Sequence, residues 1–211
     1  MEIIYFDELK STQNYLVEHI ANKKLSPPIA IITKRQTNGI GSRDNSWEGG
    51  DGNLFFSFAL NLDDLPQDLP LSSASIYFSF IMKEVLKDYT DDIWLKWPND
   101  LYYFKYKIGG TITKKIDNIL VCGMGINLKK NSNSFKALNI NIEADFLLQR
   151  YLGELEIYPN WKQVFSKYSI EFDKNKRVSA HILGEYKSLE NAVLSEDGSL
   201  IINNKRVYSL R

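Results

Sequence analysis

Residues 94–113, WLKWPNDLYYFKYKIGGTIT, carry the most decisive pattern in the chain. Ile93–Trp97 is rich in aromatic and β-branched residues and predicts a short strand. Pro98 ends it, because proline has no N–H to give to a ladder. Asn99 and Asp100 follow at the strand's end, where a rigid sheet can aim polar groups into a cleft. Leu101–Phe104 and Ile108–Thr113 predict a hairpin turning at Lys105-Tyr106. Strict alternation puts Ile108, Gly110 and Ile112 on one face, and Lys107, Gly109 and Thr111 on the other. Adjacent glycines in a strand mark a place where something approaches the backbone closely, and Lys107 stands beside them. Each residue alone reads as an ordinary surface hairpin. Together, a carboxylate, an amide, a cation and bared backbone read as a site.

Towards the N-terminus, Met1–Phe6 predicts a strand. A helix follows, with Tyr15, Leu16, Ile20 and Ala21 at helical spacing. Ser11 or Thr12 is a natural N-cap, and the same helix end could offer hydroxyls and N–H groups to a polar ligand. Ile29–Lys34 is a compact apolar strand. Arg35–Gly52, RQTNGIGSRDNSWEGGDG, is polar, glycine-rich and long for a connection; such loops are commonly functional. Gly39 and Gly41 permit close approach, Arg43 can grip a phosphate, and Trp47 is a large apolar anchor. The loop lacks the Gly-Lys-Ser/Thr ending of a P-loop, and a lid over a ligand is expected. In Asn53–Asn61, Leu54, Phe56, Phe58 and Leu60 alternate with Phe55, Ser57 and Ala59. Leu71–Tyr89 is the clearest helix, its apolar face a core face.

Beyond the hairpin, Asn118–Leu128 (NILVCGMGINL) predicts a strand interrupted by Gly123 and Gly125 and followed by Asn127. Asn131–Asn141 predicts an exposed loop. Glu143–Leu152 and Pro159–Ile170 predict helices, with Pro159 in a first turn. Phe172–Arg177 is a junction. Val178–Arg211 has short strand-like runs and a turn at Glu196-Asp197-Gly198-Ser199, which suit a small β-module.

The chain has 211 residues, 44% hydrophobic and 25% charged, enough for one substantial domain with an appendage. Lys+Arg and Asp+Glu both number 26, so the basic surplus of a general nucleic-acid binder is missing. One cysteine, Cys122, leaves no internal disulfide and no cysteine-rich zinc site. It lies in an apolar run and reads as a small buried hydrophobe. Two histidines, His19 and His181, give little material for a metal cage or a Ser-His-Asp triad. Nothing resembles a signal peptide or a membrane span, and a cytoplasmic protein is expected.

Four segments stand in one order: Ser11-Thr12-Gln13; Gln36-Thr37-Asn38-Gly39-Ile40-Gly41-Ser42-Arg43 with Trp47; Lys96-Trp97-Pro98-Asn99-Asp100 with Lys107-Ile108-Gly109-Gly110; and Gly123-Met124-Gly125-Ile126-Asn127. In this the chain resembles biotin protein ligases, over essentially its whole length. The resemblance implies an α+β fold: a mixed β-sheet with helices over residues 1–173, related to lipoate ligases and class II synthetases, and a small SH3-like β-barrel over 174–211. It implies ATP-dependent activation of biotin to biotinyl-5′-AMP. Transfer to a lysine of the biotin carboxyl carrier protein of acetyl-CoA carboxylase follows. Lys107 would be catalytic. Ser11, Thr12, Gln13, Gln36, Gly39, Gly41, Trp47, Lys107, Gly109 and Gly110 would bind biotin. Ser42, Arg43, Trp47, Asn99, Asp100, Lys107 and Asn127 would bind ATP and the adenylate. Mg²⁺ is expected, with Asp100 the candidate ligand. Relatives can pair through sheet edges, which extends to a homodimer here. Many also carry an N-terminal DNA-binding domain; Ser11-Thr12 comes so early that the form without it, and no DNA partner, is expected.

The chain departs from that pattern. Relatives usually read G-R-G-R where Gly39-Ile40-Gly41-Ser42 stands, and Gln13 replaces an asparagine. A looser hold on the adenylate is the expectation, unless Arg43 compensates. The alternatives are a lipoate or octanoate ligase or transferase on the same fold, and a non-catalytic biotin-binding regulatory protein.

Overall fold

A computed structural model of the chain describes residues 1–42, 45–47, 50–129, 136–182 and 184–208. Its centre is a seven-stranded sheet formed by β1 (Glu2–Leu9), β2 (Ile29–Gln36), β5 (Leu54–Asn61), β6 (Ile93–Lys96), β7 (Asp100–Tyr103), β8 (Tyr106–Ile116) and β9 (Ile119–Ile126). The spatial order is β1-β2-β5-β9-β8-β7-β6. Helix α1 (Thr12–Ala21) connects β1 to β2, which are therefore parallel. Every other adjacent pair is antiparallel.

The two faces are covered unequally. Leu54, Phe56, Phe58 and Leu60 of β5 point to the side packed by α2 (Ala74–Leu86), α3 (Ala144–Glu156) and α4 (Trp161–Glu171). The expected alternation of β5 holds, but the strand is central and buried on both sides. Its other face meets α1, where Leu16 and Ile20 pack on Ile29, Ile31, Ala59 and Val121. One ten-residue helix cannot cover a face seven strands wide. The uncovered part, beyond the N-terminus of α1, is where the polar segments of the sequence gather.

Several boundaries move. The helix expected over Leu71–Tyr89 begins as a 3₁₀ turn, Leu71–Ser73, and is α-helical only from Ala74 to Leu86. Pro159 lies just outside α4. Asn160 is the N-cap and forms a capping box with Gln163, so a side chain that can accept from the first turn sets the helix start. The β7–β8 turn falls at Phe104-Lys105 rather than Lys105-Tyr106, with Phe104 at positive φ (51°). The expected lid contains two short strands, β3 (Gly39–Ile40) and β4 (Ser46–Trp47), paired as a hairpin. Arg35 and Asp51 join the loop's two ends through an exposed ion pair at 3.2 Å.

The C-terminal part comprises two small antiparallel sheets, β10 (Ser179–Ile182) with β11 (Glu185–Ser188), and β12 (Val193–Leu194) with β13 (Leu200–Ile202) and β14 (Lys205–Val207). These short strands match the small β-module expected there, although among the described residues they do not close into one ring. Ala180, Ile182, Leu189, Leu200 and Ile202 continue the main core. Among the described residues no helix is long and apolar enough to cross a membrane.

Candidate active site

The site lies on the α1 face of the sheet, and β9 makes its floor. Along β9, Leu120, Cys122, Met124 and Ile126 serve the core, so Gly123 and Gly125 fall on the opposite face. Burial pushes the Cys122 thiol well up, which keeps it protonated and inert. The bared floor is occupied by two side chains of the protein itself. A methyl group at Gly123 would lie 2.5 Å from Gln13 Oε1, and one at Gly125 would lie 2.6 Å from Trp47 Nε1. The free volume that remains is about 30 Å³, room for little more than a water. Gln13 Oε1 and Trp47 Nε1 are both buried without a hydrogen-bond partner. A buried acceptor and a buried donor left unpaired are costly (about 1–3 kcal/mol each), so both are poised for a polar ligand.

The wall beside Gln13 is ordered in advance. Ser11 caps α1, its Oγ accepting from Asn14 N. The backbone N–H and the hydroxyl of Thr12 both donate to Gln36 Oε1, at 2.8 and 3.2 Å, and Ser57 Oγ donates to Thr12 Oγ1 at 2.9 Å. Ile40, Gly41 and Ser42 of the loop complete this side.

The opposite wall is the WPND hairpin, and here alternation fails. Leu101 pairs with Gly109 but Tyr102 pairs with Lys107, so Ile108 is an extra residue in β8. This β-bulge reverses the facing of Lys107. Gly109 and Thr111 point into the core: a methyl at Gly109 would meet Ile126 and Leu101, and Thr111 accepts from Ser79 of α2. Lys107 instead shares the cavity face with Gly110 and Ile112. Its ammonium lies 2.7 Å from Asp100 Oδ1 and 5.6 Å from the centre of the Trp47 ring.

The structure thus brings together Ser11, Thr12, Gln13, Gln36, Gly41, Ser42, Trp47, Asn99, Asp100, Lys107 and Gly110 around one cavity. Four expected members stand otherwise. Gly39 lies outside the lining; its hydrogen side fits against the Trp47 carbonyl and Gln36 Nε2, which makes it a packing requirement of the β3–β4 hairpin. Gly109 faces the core. Asn127 also lies outside the lining, its Nδ2 donating to the Lys136 carbonyl. Arg43 lies outside the described residues. Asn99 reaches the cavity, but its Nδ2 donates to the Thr111 carbonyl at 2.6 Å, so its amide braces the hairpin. Ile112, Gly123 and Gly125 line the cavity as well, beyond the expected ligand residues; two glycines two apart in a strand clear one face, whereas nothing in the sequence marks Ile112. Among the described residues no three His, Cys, Asp or Glu side chains gather as a metal cage.

Comparison with known proteins points the same way. The profile of the biotin/lipoate A/B protein ligase family matches residues 5–131. The chain is 31% identical over 178 residues to biotin–protein ligase 1, chloroplastic, of Arabidopsis thaliana, covering 79% of this chain and 47% of that protein. It is 25% identical over 213 residues to the bifunctional ligase/repressor BirA of Salmonella typhimurium, covering 96% and 63%. The chain therefore spans about half to two-thirds of the length of these relatives. Among solved structures, the biotin acetyl coenzyme A carboxylase synthetase of Helicobacter pylori, with bound biotinylated ATP, superposes with a TM-score of 0.93 at 43% identity, covering 98% of this chain and 99% of that one. The Aquifex aeolicus biotin protein ligase shares the fold at a TM-score of 0.78 and 23% identity, covering 100% and 96%.

Proposed function

The chain belongs to the biotin/lipoate A/B protein ligase family, and from that premise we propose that it is a biotin protein ligase working in two steps. In the first, a carboxylate oxygen of biotin attacks the α-phosphorus of ATP; biotinyl-5′-AMP forms and pyrophosphate leaves. In the second, the ε-amine of a lysine on the biotin carboxyl carrier protein of acetyl-CoA carboxylase attacks the carbonyl carbon, and AMP leaves. The observation that carries this reading is the placement of the Lys107 ammonium on the cavity face beside Gly110, flanked by Asp100 and Trp47.

Both reactants of the first step are anions, and they repel until a fixed cation lies between them. Lys107 supplies that cation and holds the two in line, so positioning and charge stabilisation account for the acceleration without a covalent enzyme intermediate. On the far wall Gln13 Oε1 accepts from a ureido N–H, and the prearranged Thr12–Gln36 pair holds the rest of the ring. The valeryl chain runs over the bared backbone at Gly110 and Gly125. The Trp47 indole covers it once lifted from the floor. Asp100 offers one carboxylate, which suits Mg²⁺, an ion that takes one or two carboxylates and substrate phosphates. When bound, Mg²⁺ supplies neutralisation of the phosphate oxygens. The likeness to the Helicobacter pylori synthetase favours biotin over lipoate as the acid.

The test is ATP–pyrophosphate exchange. It should depend on biotin, not lipoate or octanoate, and fall at least about a hundredfold in Lys107→Gln, as expected when a charged partner of the transition state is lost. Exchange that ignores biotin, or that survives in Lys107→Gln at the parent rate, sinks the proposal.

A further inference from the structure

Among the described residues lining the cavity, Lys107 is the one cation. Ile40 and Ser42 line the same cavity without charge. A nucleoside triphosphate and a carboxylic acid bring far more negative charge than one ammonium can balance. The cavity face does not end at its lining, however. Cross-strand partners share a face. Gly110 pairs with Asp100 and Asp100 with Lys96, while Lys107 pairs with Tyr102 and Tyr102 with Trp94. Lys96, Asp100, Tyr102 and Lys107 therefore form one polar patch running from the cavity to the edge strand β6.

Within this patch the charges do not cancel. Asp100 Oδ1 is held by Lys107 at 2.7 Å. Lys96, half-buried, has no carboxylate within ion-pairing distance among the described residues. Its Nζ donates to the Tyr102 hydroxyl at 3.4 Å and lies 5.2 Å from the ring centre. Burial lowers the Lys96 pKa, Lys107 lowers it further, and Asp100 acts against both. Burial likewise pushes the Tyr102 phenol up to about 12, so it stays a neutral O–H. A half-buried ammonium matched only to a phenol is an incomplete site, and its missing partner is an anion.

We propose that Lys96, with the Tyr102 hydroxyl, binds the β- and γ-phosphates of ATP and receives the departing pyrophosphate. The assignment deepens the ligase reading and rests on it. As the acid oxygen bonds to the α-phosphorus, the bond from that phosphorus to the bridging oxygen breaks. Its electron pair leaves with pyrophosphate, and Lys96 stabilises the charge without giving up a proton. In the second step no pyrophosphate is present and AMP is the leaving group, so Lys96 has no charge to meet. Its contribution is confined to the first step, which a merely structural lysine could not achieve.

The two half-reactions of Lys96→Met and Lys96→Arg separate these roles. In exchange, Lys96→Met should raise the KM for ATP and the KM for inorganic pyrophosphate, each about tenfold or more, with the KM for biotin little changed. Lys96→Arg should restore most of both. Transfer from chemically supplied biotinyl-5′-AMP to carrier protein should change by less than about twofold in either variant. An unaltered KM for ATP and an unaltered KM for pyrophosphate in Lys96→Met overturn the assignment. So does an equal loss in both half-reactions that arginine fails to rescue. Absence of exchange in the unaltered protein instead overturns the ligase reading itself, and this assignment with it.

Discussion

The same substitution should act in opposite ways at two glycines. At Gly125 an added methyl would lie 2.6 and 2.7 Å from Trp47 Nε1 and Cε2. The indole must lift, and the space into which biotin's chain would pass shrinks. Gly125→Ala should raise the KM for biotin about tenfold, since small steric changes at a positioned substrate are felt strongly. At Gly153, inside α3, an added methyl meets nothing within 4 Å. There the gain is helix propensity alone, and Gly153→Ala should stabilise by about 0.5–1 kcal/mol with activity unchanged. Exchange kinetics and urea titration read the two effects. A Gly125→Ala protein with the parent KM for biotin would show that biotin's chain does not pass over that floor.

At the scale of elements, what the sequence made legible follows from how local each signal is. Capping by Ser11 and the core face of α2 could be read because both depend on residues within a turn or two. The facing of Lys107 could not. It depends on one extra residue, Ile108, in a ladder whose register is set by a partner strand, and one residue of slip exchanges the faces. The committed amide of Asn99 was equally hidden, because its partner, the Thr111 carbonyl, is twelve residues away on another strand. Nor does the sequence show how α2 and α4 are joined. Lys83, 1% exposed along its side chain, pairs with Glu171 Oε2 at 2.7 Å and Glu84 Oε1 at 3.0 Å, and Lys167 of α4 reaches Glu84 at 3.3 Å. Burial alone would raise the Glu84 carboxyl; Lys83 and Lys87 outweigh it and hold the group below its ordinary 4.5. A depressed carboxyl contributes stability above its unfolded pKa and loses it as the pH falls through the folded one. Glu84→Gln should thus destabilise the protein at pH 7, and the difference from the parent should shrink as the pH is lowered through about 4 and below. A difference that stays constant over that range in urea titrations would rule out the ion pairs as its source.

The molecule as a whole is tied together where the WPND hairpin meets the C-terminal part. The mixed α+β sheet was foreseeable from strand and helix patterns, but the attachment of the C-terminal part to the WPND hairpin was not, since its contacts span about eighty to a hundred residues. Trp97 Nε1 donates to the Gly198 carbonyl at 2.9 Å, and Trp161 Nε1 donates to the Glu196 carbonyl at 2.7 Å. Gly198 has φ of 78°, and a methyl there would strike Ser73. Asn175, fully buried in the 3₁₀ turn Phe172–Arg177 that follows α4, accepts from Trp97 N at 2.7 Å and donates to the Leu95 carbonyl at 3.0 Å. It satisfies the open side of edge strand β6 as another strand would, on either side of Lys96. Asn175→Ala leaves a buried N–H and a buried carbonyl without partners, at about 1–3 kcal/mol each. The loss of stability should therefore be about 2–5 kcal/mol in urea titration. Because the freed backbone flanks Lys96, the KM for ATP should rise more than the KM for biotin. Asn175→Asp keeps an acceptor for Trp97 N but sets a carboxylate oxygen against the Leu95 carbonyl, so it should fail to restore the parent stability. Less than about 0.5 kcal/mol lost in Asn175→Ala would mean that water replaces the amide and that β6 is held by its hairpin partner alone.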